Sequence, residues 1–132
     1  MFQIPSTLEN LILNYDDAKK KLTQFGFLVG GNWDFRIGYF DYLLDAKHHS
    51  GYLRIPFQVH KGSIEDKNGV IRLGTPIVLA NKIQNGMMKR HNDAWEWKRD
   101  ERLQIANQFV IKGLVLVKQA ENLLMESSRQ AN

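Results

Sequence analysis

The sequence predicts an α+β fold, with an antiparallel sheet of about four to five strands packed against an N-terminal helix and a long C-terminal helix. Three patterns carry this expectation. In residues 52–60, Leu53, Ile55, Phe57 and Val59 alternate with Tyr52, Arg54, Gln58 and His60, the period of a strand with one buried face and one wetter face. Residues 16–25 begin acidic and turn basic, with Ala18, Leu22 and Phe25 on one side and Tyr15 a turn earlier, which suits an amphipathic helix and its dipole. Leu103, Ala106, Val110, Gly113, Val117, Ala120 and Leu124 are spaced 3-4-3-4-3-4, a helical seam.

The remaining elements follow from local chemistry. Pro5 argues against a helix before Ser6, and Leu11–Leu13 reads as a short strand or extended arm. Asn14 or Asp16 can cap the first helix, and Gly26 stands where a glycine cap ends one. Phe27–Val29 reads as a short strand. A longer one runs from about residue 35 to 45; both of its faces are partly apolar, as in a central strand. Pro56 lacks an N–H, so its free side should meet an edge or a bulge. A polar loop ending in Asn68-Gly69 leads to a strand at 70–73, which Gly74-Thr75-Pro76 breaks. Residues 77–80 form either a last strand or the start of a buried helix. Asp93 with Glu96 resembles a capping box. Residues 109–117 are apolar nearly all round, so the middle of the C-terminal helix should be buried on more than one side; their β-branched content leaves a strand as the alternative. One unbroken helix over 94–127 would be about 50 Å long, against a radius of gyration of about 14 Å for a globule of this size. It must therefore break or project, and a projecting apolar helix calls for a second copy.

Composition bounds the function. The 132 residues suit a single α+β domain spanning 1–132, with 43% apolar and 24% charged residues. The absence of cysteine removes disulfide, thiolate and Cys-zinc chemistry. No basic flank precedes an apolar run at the N-terminus, and the longest apolar run, Leu114–Val117, is too short for a bilayer. A cytoplasmic protein without membrane spans is expected. Residues 1–66 hold seven Lys/Arg and eight Asp/Glu; residues 67–132 hold eleven and six. That asymmetry raises the case for an anionic partner. The bland alternative is a solvated helix face.

The densest stretch is 30–42, Gly-Gly-Asn-Trp-Asp-Phe-Arg-Ile-Gly-Tyr-Phe-Asp-Tyr, with three glycines, five aromatics and two aspartates. Together with Tyr52-Leu53-Arg54-Ile55-Pro56-Phe57 and Arg72-Leu73-Gly74-Thr75-Pro76 it resembles the YugN-like family, small proteins of Bacillus-type bacteria. The resemblance covers most of residues 4–86 and weakens beyond Gly86. It implies a compact α+β cytoplasmic protein and no particular activity, so it carries no functional residues across.

Three readings follow. The first is a non-enzymatic interaction or regulatory module that self-associates, favouring a dimer, through Leu103, Val110, Val117 and Leu124. The second is a small-molecule binder or enzyme with a cleft near Gly30–Asp45, using Asn32, Trp33, Asp34, Asp41, Tyr42, Arg54 and Arg72. Against it, Asp34 can satisfy turn N–H groups, while Asp41 and Asp45 can pair with Arg54 or Arg72. The third is weak nucleic-acid binding by the basic half, where Trp95 and Trp97 neighbour Lys98, Arg99 and Arg102; interleaved acids largely cancel that charge. No catalytic constellation stands out. His48, His49 and His60 lack metal-site spacing, and no cofactor motif occurs: Gly30-Gly31 lacks the lysine and further glycines of a phosphate loop.

Overall fold

The computed structural model describes residues 2–31, 36–45, 51–80 and 107–125. They form seven strands and two helices: β1 (Phe2–Gln3), β2 (Ile12–Asn14), α1 (Tyr15–Phe25), β3 (Leu28–Gly31), β4 (Ile37–Leu43), β5 (Gly51–Lys61), β6 (Val70–Leu73), β7 (Ile77–Ala80) and α2 (107–125). The expected α+β class holds. The sheet has seven strands rather than four to five; β1, two residues long, is too short to show an alternation, and the short strand or extended arm expected at Leu11–Leu13 is β2. The 77–80 segment is a strand. The expected capping box at Asp93–Glu96 and the question of one continuous helix over 94–127 lie outside the described residues.

All strand pairs are antiparallel, in the order β1-β7-β5-β4-β3, with β6 paired to β5 and β2. Strand β5 is the spine. One edge pairs with β4 over Tyr52–Gln58. The other pairs with β7 over Gly51–Arg54 and with β6 over Phe57–Lys61. Pro56 sits at the changeover, where its missing N–H faces the interrupted neighbour Gly74–Pro76 and its carbonyl still accepts from Gly74 N–H at 2.8 Å. The proline is therefore accommodated by a break in the adjoining strand, inside the sheet rather than at its edge.

Helix α1 starts where Asn14 Oδ1 accepts from Asp17 N–H at 2.9 Å, while Asn14 Nδ2 donates to Lys67 C=O at 2.9 Å. It ends at Gly26, whose φ of 128° is closed to most side chains. Its apolar face brings Tyr15, Ala18 and Leu22 onto Phe40, Leu53, Ile55, Phe57, Ile71 and Leu73 of the sheet. Tyr15 lies 5.6 Å from the Phe57 ring centre and 6.3 Å from that of Phe40.

Helix α2 covers the same sheet face with Phe109, Val117, Ala120 and Leu124. Gly113 permits the close approach: a Cβ there would stand 2.7 Å from Val78 Cγ2. The outer side of this helix differs from expectation. Ile111, Leu114 and Val115 are 61%, 48% and 55% exposed, so residues 109–117 are buried on one side only. The single sheet layer beneath α2 accounts for this; no second apolar layer lies above it among the described residues.

A polar tie holds α2 to the N-terminal segment. Glu121 Oε2 accepts from Ser6 Oγ at 2.7 Å and from Thr7 N–H at 3.3 Å, and Lys118 Nζ lies 3.7 Å from Oε1. Burial pushes this carboxyl up, but the Ser6 hydroxyl, the Thr7 N–H and the Lys118 ammonium outweigh it and leave it below its ordinary value. A depressed carboxyl stabilises the fold above its unfolded pKa, and that contribution is lost as pH falls through the folded value. Glu121→Gln is expected to lower the unfolding free energy by about 1–2 kcal/mol at neutral pH. The difference from wild type should close as pH falls below the ordinary glutamate value of 4.5, read by urea denaturation across a pH series.

Candidate functional site

The two helices occupy one face of the sheet, so the residues proposed for a cleft sort by parity. Register places Asp41 opposite Arg54, Tyr39 opposite Pro56 and Ile37 opposite Gln58. Gln58 in turn stands opposite Arg72, and Arg72 opposite Ile12. These side chains share the face away from the helices. Tyr42 falls on the other parity. It packs into the aromatic corner at the end of α1, 5.2 Å from the Phe27 ring and 6.1 Å from that of Phe25. Asn32, Trp33 and Asp34 lie outside the described residues, as do His48, His49, Trp95, Trp97 and Leu103.

Asp41 and Arg54 meet directly. Arg54 Nε and Nη2 donate to Asp41 Oδ1 and Oδ2, both at 2.8 Å. This is the bidentate fork that matches guanidinium to carboxylate. The guanidinium carbon also sits 3.8 Å from the centre of the Tyr39 ring, a cation–π contact. The hydrogen bond to Asp41 raises the Arg54 pKa further. The pair is half-shielded, with side chains 31% and 15% exposed. Both residues are thus satisfied within the sheet, as the sequence allowed.

Arg72 is placed differently. It is two strands from Asp41 and about four residues along, or about 13 Å. Its Nε is shut from water and meets no acceptor, and Nη2 comes within 3.5 Å of His60 Nδ1. An unsatisfied buried donor costs about 1–3 kcal/mol. Two open grooves lie at this end of β5, and Arg72 lines the smaller of them. One, of about 680 Å³, is lined by Arg36, Ile37, Gln58, His60, Lys61 and Ser63, among others. The other, of about 310 Å³, is lined by Asn10, Ile37, Pro56, Gln58, Arg72 and Gly74, among others. Ile37 and Gln58 belong to both. Asp41 and Arg54 belong to neither, so the described members of the expected cleft do not converge on one concavity. The β5 end, Gln58–Lys61, which the expected cleft did not include, lines the larger groove; the alternation of β5 puts Gln58 and His60 on the face of Arg72.

A third groove, of about 570 Å³, runs between the end of β4 and α2. It is lined by Tyr42, Leu43, Leu44, Ile111, Lys112, Val115 and Leu116, and Lys112 Nζ donates to Leu44 C=O at 3.3 Å. Of the residues expected to mediate self-association, Val117 and Leu124 are 2% and 0% exposed in the chain's own core, and Val110 packs beside it. The apolar side chains that α2 presents outward are Ile111, Leu114 and Val115.

The YugN-like family profile matches residues 3–124. A curated relative, the uncharacterised protein YugN of Bacillus subtilis, is 30% identical over 84 residues, or 64% of this chain. The match spans 63% of that relative's length, a little under two thirds. Among solved structures, the crystal structure of an uncharacterised conserved protein YugN from Geobacillus kaustophilus aligns with a TM-score of 0.58 at 18% identity. It covers 83% of this chain and 95% of that one. At that identity the likeness concerns the fold.

The Asp41–Arg54 geometry has a thermodynamic signature. In a double-mutant cycle of Asp41→Asn and Arg54→Met, urea unfolding is expected to give a coupling of about 1–2 kcal/mol. A coupling near zero would mean that the two side chains do not hold one another.

Proposed function

The chain belongs to the YugN-like family, and we propose that it acts as a non-enzymatic, cytoplasmic interaction module that pairs with a second copy of itself through the outer face of α2. One observation carries the reading. Ile111, Leu114 and Val115 stand exposed at i, i+3 and i+4 on a helix whose opposite side is already spent on the sheet. Exposed apolar surface of this kind marks interaction sites.

The choice of a second copy rests on shape. The ridge of Ile111, Leu114 and Val115 lies directly beside the groove formed with Tyr42, Leu43 and Leu44. A two-fold axis needs such a pairing, a ridge and a groove on one patch, so that each copy fills the other. Three side chains are small against the ~800 Å² per partner of a standard interface. The contact therefore runs along α2, about 28 Å for its length, and onto the end of β4. The internal Asp41–Arg54 pair fits a non-catalytic role, since each group already answers the other. A cytoplasmic setting suits a chain with no cysteine, and no described helix is long and apolar enough to cross a membrane.

Sedimentation of the full chain tests this. Wild type is expected to be dimeric, and Ile111→Glu/Val115→Glu monomeric with its thermal midpoint retained, because neither side chain supports the core. A wild-type monomer throughout the accessible concentration range, or a dimer indifferent to both charges, overturns the reading.

A further inference from the structure

We propose that the paired grooves at the end of β5 form a binding site for a small organic phosphate, a phosphate monoester, held by Arg72, His60 and Lys61. The site is separate from the α2 face and does not depend on it.

The argument begins with a contrast between two arginines on one sheet face. Arg54 is saturated by a carboxylate through both arms of its fork. Arg72 has no carboxylate partner among the described residues; its side-chain neighbour is His60, and its Nε is orphaned. Packing between β2 and β5, rather than pairing with an acid, keeps this guanidinium in place. A permanently charged group held that way offers its outer N–H donors to an anion.

The surroundings have the matching chemistry. Arg72 is an obligate donor, so its contact with His60 makes Nδ1 the acceptor and leaves Nε2–H directed elsewhere. Lys61 lines the larger groove. Ser63 Oγ accepts from Glu65 N–H at 3.1 Å, which leaves its own hydroxyl proton to donate. Gln58 joins the two grooves and adds an amide. No acidic side chain is among the described residues lining either groove. The guanidinium of Arg72 and the amine of Lys61, with several neutral donors around them, suit a dianion better than a single carboxylate. Ile37, half-exposed between the grooves, supplies an apolar wall for the organic part. The larger groove, at about 680 Å³, is of the size that takes small molecules. A nucleic-acid backbone is less well served: the nearby Tyr39 ring is already covered by Arg54 and is not free for base stacking.

The test is a two-dimensional amide NMR titration of the full chain with glycerol phosphate, inorganic phosphate, acetate and a single-stranded oligonucleotide in turn. Glycerol phosphate should shift amides of residues 58–63 and 70–73 saturably, more tightly than inorganic phosphate and far more tightly than acetate. Lys61→Gln and Arg72→Gln should each weaken it about tenfold. Lys61 is exposed, so its variant keeps the test decisive where the Arg72 variant perturbs the sheet. No saturable shift, equal response to acetate, or affinity unchanged by Lys61→Gln overturns the proposal. Tighter binding of the oligonucleotide at the same residues overturns the ligand class.

Discussion

The rest of the fold depends on the hydrogen-bonding of one strand. Strand β5 is eleven residues long and serves three partners, with β4 on one edge and β7 and then β6 on the other. Its alternation buries Leu53, Ile55 and Phe57 under both helices. A one-residue slip would turn those side chains out and bring Arg54 and Gln58 in. Pro56 sits where the second edge changes partner, having no N–H to give to a neighbour on that side. The groove beside Arg72 exists because β6 ends and β7 begins there.

Helix α2 shows how one segment can be apolar on two sides for different reasons. Val117, Ala120 and Leu124 pack into the sheet, and Gly113 lets the backbone approach it. That face accounts for the 3-4-3-4 spacing. Ile111, Leu114 and Val115 lie off that seam, and the chain's own core does not need them. Several exposed apolar side chains on one short stretch of surface are costly to keep in water. The proposed pairing with a second copy would offset that cost.

What was legible in the sequence follows the same physics. The alternation of Leu53 to Val59, the Asn14 and Gly26 caps of α1 and the Gly74–Pro76 break all appear where expected, because each depends on neighbours along the chain. Strand β1 did not announce itself, since two residues carry no period and its pairing with β7 is long-range, whereas β2 falls where the short strand or extended arm at Leu11–Leu13 was expected. The outer exposure of residues 109–117 was equally hidden. Hydrophobicity all round a helix says that burial is favourable, not what is available to bury it. For the site, the Asp41–Arg54 pair was among the pairings the sequence allowed. The isolation of Arg72 was not readable, because it depends on which residues stand beside it across strands β2 and β5.

That isolation separates two roles for one residue type. Arg54 and Arg72 lie on the same face of the same sheet and carry the same charge. Arg54 has a carboxylate directly opposite on β4 and a tyrosine ring beneath it, so its charge is spent holding two strands in register. Arg72 has Gln58 opposite on one side and Ile12 on the other. Neither can neutralise it, and its closest polar side-chain contact, His60, brings no negative charge. A buried donor without an acceptor beside an uncompensated charge works against folding. That is why the proposed phosphate ester is placed beside Arg72 rather than Arg54: an anion from outside the chain would meet a charge that the sheet leaves without a carboxylate.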